Sequence, residues 1–320
     1  MKILITGGAG FIGSNIARGY LAAGHRIAIL DDFSTGKEEN VPDGVPVFRL
    51  PIESPEVADV LSKFRPEVVN HHAAQIDIRK SVHDPVKDAT INILGSLNLF
   101  ECCLKTRVKK IIFASTGGAI YGNQASFPAS ENHPANPASP YGIVKLAVEK
   151  YLQYYSWTHH LPFVALRYAN VYGPRQNPHG EAGVIAIFIH KLLNGERPVI
   201  FGNGLQTRDY VFIDDVVACN LEALKPGITG IHNVGTEIET DLNALTAQLV
   251  QIIGSSMTPV YTPPKAGEQM RSCLKKGILQ NHPLTPLPDG LKKTVEWFKS
   301  NLSSRPDCPS GQSPFPPIPS

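Results

Sequence analysis

Residues 6–14 read Thr6-Gly7-Gly8-Ala9-Gly10-Phe11-Ile12-Gly13-Ser14. An apolar run, Ile3 to Ile5, precedes this stretch, and residues with helical spacing follow it from Ile16. The order predicts a buried strand, a glycine turn and a helix. A turn this tight requires positive φ, and a side chain at its centre would hold a phosphate away from the backbone N–H groups. Because the helix N-terminus presents further unpaired N–H groups, the stretch predicts a dinucleotide site.

A second apolar run, Arg26 to Leu30, predicts a strand that ends at Asp31 and Asp32. At this distance from the glycines, an acidic side chain receives the ribose hydroxyls of a dinucleotide. Aspartate at this point favours NAD over NADP, because a carboxylate repels a 2′-phosphate. We expect phosphate contacts from Gly7, Gly10, Phe11, Ile12 and Gly13, and adenosine contacts from Asp31, Asp32, Ser34, Thr35 and Gly36.

The composition limits the kinds of partner. The chain has 320 residues, a net charge of +2 and no basic stripe beyond Lys109-Lys110, which argues against a nucleic-acid partner. Its N-terminal apolar region is interrupted by glycines and by Arg18, so it resembles neither a signal peptide nor a membrane span. The five cysteines lack zinc-ligand spacing. We therefore expect no metal, reduced thiols and a cytoplasmic location.

Alternating strand and helix patterns predict an α/β fold, a Rossmann-type doubly wound parallel sheet with a smaller C-terminal α/β domain. Residues 45–50 and 67–70 predict further strands. After the second of these come His71-His72-Ala73-Ala74-Gln75, whose small residues leave room for a cofactor at the strand end. The two histidines are neighbours in an extended segment and should point to opposite faces, which argues against a shared metal.

Two helical segments carry polar residues that need an explanation. Residues 84–105 have helical spacing, and Asp84 stands at their start as a cap. Asn92 lies inside this helix, where a buried amide requires a partner on a loop or on the cofactor. Asp214 and Asp215 precede a helical pattern over residues 216–224, and we interpret them as its caps.

An acid–base pair is predicted where a helix begins at Pro140. Four residues separate Tyr141 from Lys145, which places both side chains on one face of that helix. A tyrosine hydroxyl is a poor base at neutral pH, but the Lys145 ammonium and a positive nicotinamide ring would lower its pKa. The strand predicted at residues 111–114 ends in Ser115 and Thr116, whose hydroxyls would point into the same crevice.

Together with the glycine stretch and Tyr141-x-x-x-Lys145, the motif Ser115-Thr116-Gly117-Gly118-Ala119-Ile120-Tyr121-Gly122 resembles the UDP-glucose 4-epimerases of the extended short-chain dehydrogenase/reductase family. The resemblance covers residues 1 to about 272. It implies that Tyr141 is the catalytic base, that Lys145 binds the nicotinamide ribose and that Thr116 binds the sugar O4, with Ser115 as the alternative. The remaining cofactor contacts that it implies are Ile52, Ala73, Ala74, Gln75, Asn92, Ser115, Tyr141, Lys145 and Tyr168.

The resemblance also assigns the second half of the chain to nucleotide-sugar binding. Arg208 would clamp the pyrophosphate, Phe201 would pack near the uracil, and the small Ser272 would leave room for an N-acetyl group. Lys265 and Glu268 replace an arginine and an aspartate of the family. The implied substrate contacts are Thr116, Gly117, Tyr141, Asn170, Gly183, Val184, Phe201, Arg208, Lys265, Glu268 and Ser272.

The resemblance implies reversible C4 epimerisation of a UDP-hexose, UDP-glucose and UDP-galactose or their N-acetyl counterparts, through a 4-keto intermediate and bound NAD. A nucleotide-sugar 4,6-dehydratase would carry an acidic pair after Thr116, where this chain has glycines and Ala119. A UDP-glucuronate 4-epimerase stays open, because Arg175 or His179 would meet a carboxylate. A non-enzymatic NAD-sensing protein would be expected to have a broken proton relay, whereas Tyr141 and Lys145 are both present.

The domain division follows from the same reading. Residues 1–170 are expected to form the NAD-binding domain, to which a segment at about 210–235 returns. Residues 171–302 would form the nucleotide-sugar domain, and residues 303–320, rich in proline and serine, would be disordered. Pairing through helices at residues 84–105 and 141–155 would give a homodimer like that of the family.

Overall fold

The computed structural model describes residues 1–179, 183–264, 267 and 269–303. The strands in this part of the chain are β1 (Lys2–Thr6), β2 (Arg26–Leu30), β3 (Val47–Phe48), β4 (Val68–His71), β5 (Lys110–Thr116), β6 (Phe163–Tyr168), β7 (Asn170–Tyr172), β8 (Val199–Phe201), β9 (Thr207–Phe212), β10 (Gly230–Val234), β11 (Glu239–Asp241) and β12 (Val260–Thr262). The helices are α1 (Phe11–Ala22), α2 (Val57–Phe64), α3 (Ile78–His83), α4 (Pro85–Ala89), α5 (Gly95–Thr106), α6 (Gly117–Ile120), α7 (Pro140–His159), α8 (Val184–Leu193), α9 (Ile213–Ala223), α10 (Leu242–Ile253) and α11 (Leu287–Ser303). A 3₁₀ turn covers Glu38–Asn40, and a π-helical segment, Thr90–Leu94, joins α4 to α5.

A seven-stranded sheet with the order β10-β6-β5-β4-β1-β2-β3 forms the centre of the protein. All of its neighbouring strands pair in parallel. From β1 the chain winds outward to β2 and β3 on one side, then returns to β4 and winds outward on the other. The carboxyl ends of β1 and β4 therefore meet at a topological switch point, where doubly wound sheets bind ligands. The predicted Rossmann-type fold is confirmed.

Burial on both faces of the sheet explains why its strands are apolar. Ile3 and Ile5 belong to a core cluster that includes α1 and α9, whereas Leu4 belongs to a second cluster that includes α2 and α5. Successive side chains of one strand thus enter opposite layers. Smaller sheets, β11-β9-β7 and β12-β8, lie outside the main sheet, and β10 joins the main sheet beside β6. The domain division predicted above remains a prediction, and residues 304–320 of the expected disordered tail lie outside the described residues.

Two local expectations were wrong. The strand predicted over residues 45–50 is reduced to Val47–Phe48 at the sheet edge, where Pro46 removes an N–H donor that a longer ladder would need. Asp214 and Asp215 do not cap α9, because this helix begins at Ile213 with Phe212 in the N-cap position. The Asp215 carboxylate instead accepts hydrogen bonds from the backbone and hydroxyl of Thr285.

Within the described part of the chain, every helix is too short or too polar to cross a lipid bilayer.

We predict that Gly13→Ala lowers the free energy of unfolding by about 1–3 kcal/mol, because overpacking at a backbone contact forces a shift of the chain. A Cβ on Gly13 would lie 2.2 Å from the Gly7 carbonyl oxygen. Urea unfolding followed by circular dichroism measures the change. Gly118→Ala is the matched control, since its Cβ would meet nothing closer than 3.9 Å. Equal stability of the two variants would contradict the predicted close packing.

Candidate active site

The glycine turn has the geometry of a phosphate cradle. Gly7 has a φ of +68°, and its N–H donates to the Leu30 carbonyl, which ties the turn to β2. Gly10 occupies the N-cap of α1, and Gly13 approaches the Gly7 carbonyl too closely for a side chain. The N–H groups of the first turn, Phe11 and Ile12 among them, have no partner within the helix. This cradle fits a dinucleotide pyrophosphate.

Asp31 is buried at the carboxyl end of β2 and faces the glycine turn. Its two carboxylate oxygens accept hydrogen bonds from the backbone of Ala9 and of Phe33, both at 2.9 Å. Burial raises the pKa of Asp31, and these two hydrogen bonds oppose the rise. The structure thus fixes a carboxylate beside the cradle, as the sequence predicts.

The loop after Asp31 folds back on the glycine turn. Asp32 accepts hydrogen bonds from the backbone and hydroxyl of Ser34, and Gly36 packs so closely on Asp31 that a Cβ would lie 2.8 Å from its carboxylate. Lys37 and Asn40 both donate to the Ala9 carbonyl. Thr35 lies within this loop, so the predicted adenosine contacts are grouped on one segment.

The loop after β4 is held by the helix that carries Asn92. The Asn92 side chain accepts from the Gln75 N–H and donates to the Gln75 carbonyl, both at 2.9 Å, so its predicted partner is on a loop. Asn92 lies in the π-helical segment, a feature often found at functional sites. The Gln75 side chain donates to Asp88, and the Ala73 N–H donates to the Thr6 hydroxyl.

Other expected cofactor residues have structural partners of their own. The Ile52 carbonyl accepts a hydrogen bond from Asn98, and its side chain packs on Gly95. His71 bonds to Thr6 and Ser96, whereas His72 stacks on Tyr168 at a centroid distance of 6.2 Å. In the described residues no cluster of three or more histidine, cysteine or acidic side chains could hold a metal ion.

Tyr141 and Lys145 stand on the first two turns of α7, which Ser139 caps by accepting from the Gly142 N–H. The Lys145 ammonium lies 5.8 Å from the centre of the Tyr141 ring and donates to the Ala114 carbonyl at 2.9 Å. Burial lowers the pKa of Lys145 to about 8, although Asp88 and Glu149 oppose the decrease. The helix therefore brings the predicted pair to the end of β5.

The pKa of Tyr141 departs from the expectation. Burial raises this pKa, and the Asp88 carboxylate raises it further. The protein groups alone thus shift the pKa of the hydroxyl in the direction opposite to that predicted. The reason is that the cost of desolvating a phenolate is the largest effect on this pKa.

Ser115 and Thr116 point to opposite sides of the β5 end. The Ser115 hydroxyl donates to the buried Glu149 carboxylate at 2.5 Å, whereas the Thr116 hydroxyl accepts from the Ala119 N–H and caps α6. A Cβ on Gly118 would lie within 4.0 Å of both the Thr116 and the Ser272 hydroxyl. The structure therefore brings Thr116 and Ser272 together beside α6, while Gly117 packs on Leu274.

A buried network behind Tyr141 and Lys145 was not found from the sequence. Both carboxylate oxygens of Glu149 accept from Arg167, the shorter contact being 2.6 Å. Arg167 also donates to the Tyr121 hydroxyl, which donates in turn to Asn233. The signal was present in the sequence, because Glu149 follows Lys145 by the same four residues that separate Lys145 from Tyr141.

The predicted nucleotide-sugar residues are distributed over several elements. Asn170 is exposed at the start of β7, Phe201 ends β8, and Arg208 lies on β9 with its guanidinium donating to the Thr207 carbonyl. Gly183 caps α8, which Val184 begins. Lys265 and Glu268 lie outside the described residues.

Asp209, which the sequence did not single out, connects two of these segments. Its N–H donates to the Ser272 carbonyl, and its carboxylate accepts from the Leu274 N–H and from Thr236. Burial raises the pKa of Asp209 to about 6. The strand that carries Arg208 is thereby tied to the segment that carries Ser272.

Arg175 is turned toward the glycine turn. Its guanidinium donates to the Asn15 side chain, which itself donates to the Phe11 and Pro174 carbonyls. The His179 ring contacts His190 on α8. These contacts place Arg175 beside the first turns of α1.

Comparison with known proteins agrees with this geometry. Residues 3–235 match the NAD dependent epimerase/dehydratase family. The chain is 42% identical over 310 residues to the UDP-glucose 4-epimerase of Mycolicibacterium smegmatis, which covers 94% of this chain and 99% of that protein. The crystal structure of a UDP-glucose 4-epimerase from Thermotoga maritima with UDP-glucose matches with a TM-score of 0.92 and 45% identity, covering 94% of this chain and 100% of that one. The Thermus thermophilus UDP-glucose 4-epimerase in complex with NAD gives a TM-score of 0.89 and 42% identity, covering 93% and 99%.

We predict that Glu149→Gln lowers the free energy of unfolding by about 3–5 kcal/mol, because it leaves the buried Arg167 guanidinium without a counter-charge. The measurement is equilibrium urea unfolding. Glu239→Gln is the control, since Glu239 forms an equally short ion pair with the more exposed Arg271, and such pairs contribute about 0–1 kcal/mol. If the free energy of unfolding falls no more in the Glu149 variant than in the control, the buried pair matters no more to stability than the exposed one.

Proposed function

Because the chain belongs to the NAD dependent epimerase/dehydratase family, we propose that it catalyses reversible inversion at C4 of a UDP-hexose with bound NAD. The observation that carries this proposal is the position of Tyr141 and Lys145 at the carboxyl end of β5. Thr116 is the last residue of that strand, and only β4 separates β5 from β1 and its glycine cradle. The similarity to UDP-glucose 4-epimerases over almost the whole chain supports the same reaction.

The cradle, Asp31 and the β4 loop would hold NAD along the switch point of the sheet. The free N–H groups of α1 suit the pyrophosphate, and the fixed Asp31 carboxylate suits ribose hydroxyls rather than a 2′-phosphate. Bound NAD would supply a hydride acceptor that returns the same hydride in each cycle, so that the reaction needs no external reductant. Lys145 and Tyr168, on either side of β5, are proposed to border the nicotinamide end.

Tyr141 is proposed to move the proton. Its phenolate oxygen takes the O4 proton and becomes the hydroxyl as the C4–H electron pair leaves as hydride, and a C4 carbonyl forms. The Lys145 ammonium stabilises the phenolate electrostatically, and the Thr116 hydroxyl bonds to O4. After the keto sugar turns over, Tyr141 returns the proton to O4 as hydride enters the opposite face of C4. Proton transfer of this kind contributes about 10²–10⁴-fold in rate.

The choice of Thr116 over Ser115 follows from their partners. The Ser115 hydroxyl is committed to Glu149, which leaves Thr116 on the side of Ser272. We propose that Ser272, small and close to Gly118, sets the width of the sugar pocket and leaves room for an N-acetyl group. The proposed nucleotide contacts are Asn170, Gly183, Val184, Phe201 and Arg208, with Lys265 and Glu268 from the sequence.

The other reactions have less support in the site. Gly117, Gly118 and Ala119 occupy the place of the acidic pair that a dehydratase would need. The Arg175 guanidinium donates a hydrogen bond to Asn15 on α1. It therefore points toward the glycine turn and would not be available to a substrate carboxylate. C4 inversion of a neutral hexose therefore accounts best for these residues.

We also propose a homodimer. Large apolar side chains recur at helical spacing on the exposed face of α7 and continue over the adjoining helices, at Val82, Val86, Leu94, Ile143, Tyr151, Tyr154 and Trp157. Contiguous apolar surface of this kind marks an interface, and a second copy of the chain would cover it by twofold symmetry.

A cytoplasmic location is proposed as well, since Cys102, Cys103, Cys219 and Cys273 are buried free thiols.

We predict that the purified protein converts UDP-glucose to UDP-galactose without added reductant, and that Tyr141→Phe loses at least about 100-fold in rate because the proton acceptor is removed. The products are separated by chromatography after incubation with UDP-glucose, UDP-N-acetylglucosamine and UDP-glucuronate in separate reactions. Bound NAD is measured in both proteins. Absence of any C4 epimer from a wild-type protein that carries NAD would refute the proposed reaction.

The dimer predicts that Tyr154→Glu yields particles of the single-chain mass, 34.8 kDa, whereas the wild type has about twice that mass. A charge on this face would be desolvated in each partner. Light scattering after size-exclusion chromatography measures the mass. Ile238→Glu is the control, because Ile238 is also exposed but lies between β10 and β11 and not on a helix of the proposed interface. A monomeric wild type would refute the proposed dimer.

A further inference from the structure

Asp88 is a buried acidic residue for which the proposed chemistry has no role. It lies on α4, and only 1% of its surface is exposed. One carboxylate oxygen, Oδ1, accepts from Gln75 at 2.8 Å and from Asn92 at 2.9 Å. The other, Oδ2, is buried without a hydrogen-bond partner among the described residues. A buried carboxylate oxygen without a donor is costly, so a nearby positive charge is expected to compensate it.

Lys145 lies on α7, and α4, the helix of Asp88, packs against α7. The Asp88 carboxylate favours the charged form of Lys145. Burial raises the pKa of Asp88 itself, and the Gln75 hydrogen bond and the Lys145 ammonium oppose that rise. Glu149 also acts on Lys145, but its carboxylate already accepts two hydrogen bonds from Arg167. In the described structure Asp88 has no ion pair of that kind. Its negative charge acts electrostatically on the Lys145 ammonium.

The hydrogen bonds of Asp88 reach the cofactor side of the crevice as well. Gln75 and Asn92, its two donors, are joined to each other through the backbone of Gln75. This triangle fixes the loop after β4 against the π-helical segment. One carboxylate thus contacts the loop at the cofactor site and acts electrostatically on both Tyr141 and Lys145.

We propose that Asp88 is a positioning residue of the active site, the counter-ion that keeps Lys145 protonated while its hydrogen bonds to Gln75 and Asn92 hold the loop after β4. The proposal deepens the proposed function and rests on it for the meaning of the Lys145 charge. Lys145 acts on Tyr141 only as a cation, so loss of Asp88 would deprive Tyr141 of that cation at pH values above the lowered Lys145 midpoint.

The charged and titratable groups that face Lys145 define the expected direction. Glu149 on α7 and Asp88 on α4 favour its ammonium, whereas burial opposes it. Tyr141 lies on the same helix, and His71 and His72 on or after β4 feel the Lys145 charge but are kept neutral by burial. Removal of the Asp88 charge therefore lowers the pKa of Lys145. The Tyr141 pKa falls too, since Asp88 raises it.

The test compares wild type with Asp88→Asn, which keeps an acceptor for Gln75 and Asn92 but removes the charge. Lysines labelled with ¹³C at the ε carbon are titrated by NMR, and the Lys145 signal is the one that Lys145→Met lacks. We expect the Lys145 midpoint to fall by about one pH unit, the effect of one nearby charge. Above that midpoint the epimerisation rate should fall about tenfold, with the whole pH profile displaced to lower pH.

Asp84→Asn is the matched control, because Asp84 is the exposed N-cap of the same helix and asparagine caps equally well. It should leave the midpoint and the profile unchanged. An unchanged Lys145 midpoint in folded Asp88→Asn would overturn the proposal. If that variant fails to fold, Asp88→Glu decides, because it keeps the charge: a retained midpoint supports the proposal, and a fall of about one unit contradicts it. The NMR titration gives its answer even if the wild type epimerises no UDP-sugar, so failure of the two proposals is distinguishable.

Discussion

The buried ion pair between Glu149 and Arg167 connects α7, the helix that carries Tyr141 and Lys145, to the sheet. Glu149 reaches from α7 to β6 through Arg167 and to β5 through Ser115. Side chains on one helix move together, so this anchor also fixes the height of Tyr141 and Lys145 above the strand ends. A buried ion pair contributes little net stability relative to apolar packing, but removal of one partner strongly destabilises the folded protein. We therefore interpret the pair as a positioning contact, which holds α7 in one position on the sheet.

The groups that we propose to bind the cofactor lie along the same edge of the sheet. The parallel order of the strands brings the carboxyl ends of β1, β4 and β5 side by side, although their residues are far apart in sequence. The glycine turn follows β1, the Gln75 loop follows β4, and Thr116 is the last residue of β5. Loops at such a switch point diverge to opposite sides of the sheet, and the gap between them accommodates an extended ligand. The fold thus determines where the cofactor can lie, and local side chains determine which one.

Much of this site was predictable from local sequence patterns. The glycine stretch, Asp31 and the spacing of Tyr141 and Lys145 depend on neighbours within one turn or one helix, and the structure places them as expected. The direction of Ser115 could not be predicted, because it depends on Glu149 reaching β5 from another element. Asp209 connects segments that are distant in sequence, and α9 begins earlier than the residues Asp214 and Asp215 suggest because Asp215 bonds to Thr285. Each of these features arises from tertiary contact rather than from local propensity.

The pKa of Tyr141 shows why the chain and its cofactor must be considered together. Burial disfavours both a phenolate at Tyr141 and an ammonium at Lys145, so the protein moves each group away from its charged form. Two opposite charges placed together offset part of this cost, and a further positive charge beside the phenol offsets more. The oxidised nicotinamide is the positive charge that the proposed reaction brings. A phenolate that forms only beside the oxidised cofactor would take the O4 proton only when a hydride acceptor is present. Proton transfer and hydride transfer would then be coupled without a conformational change of the protein.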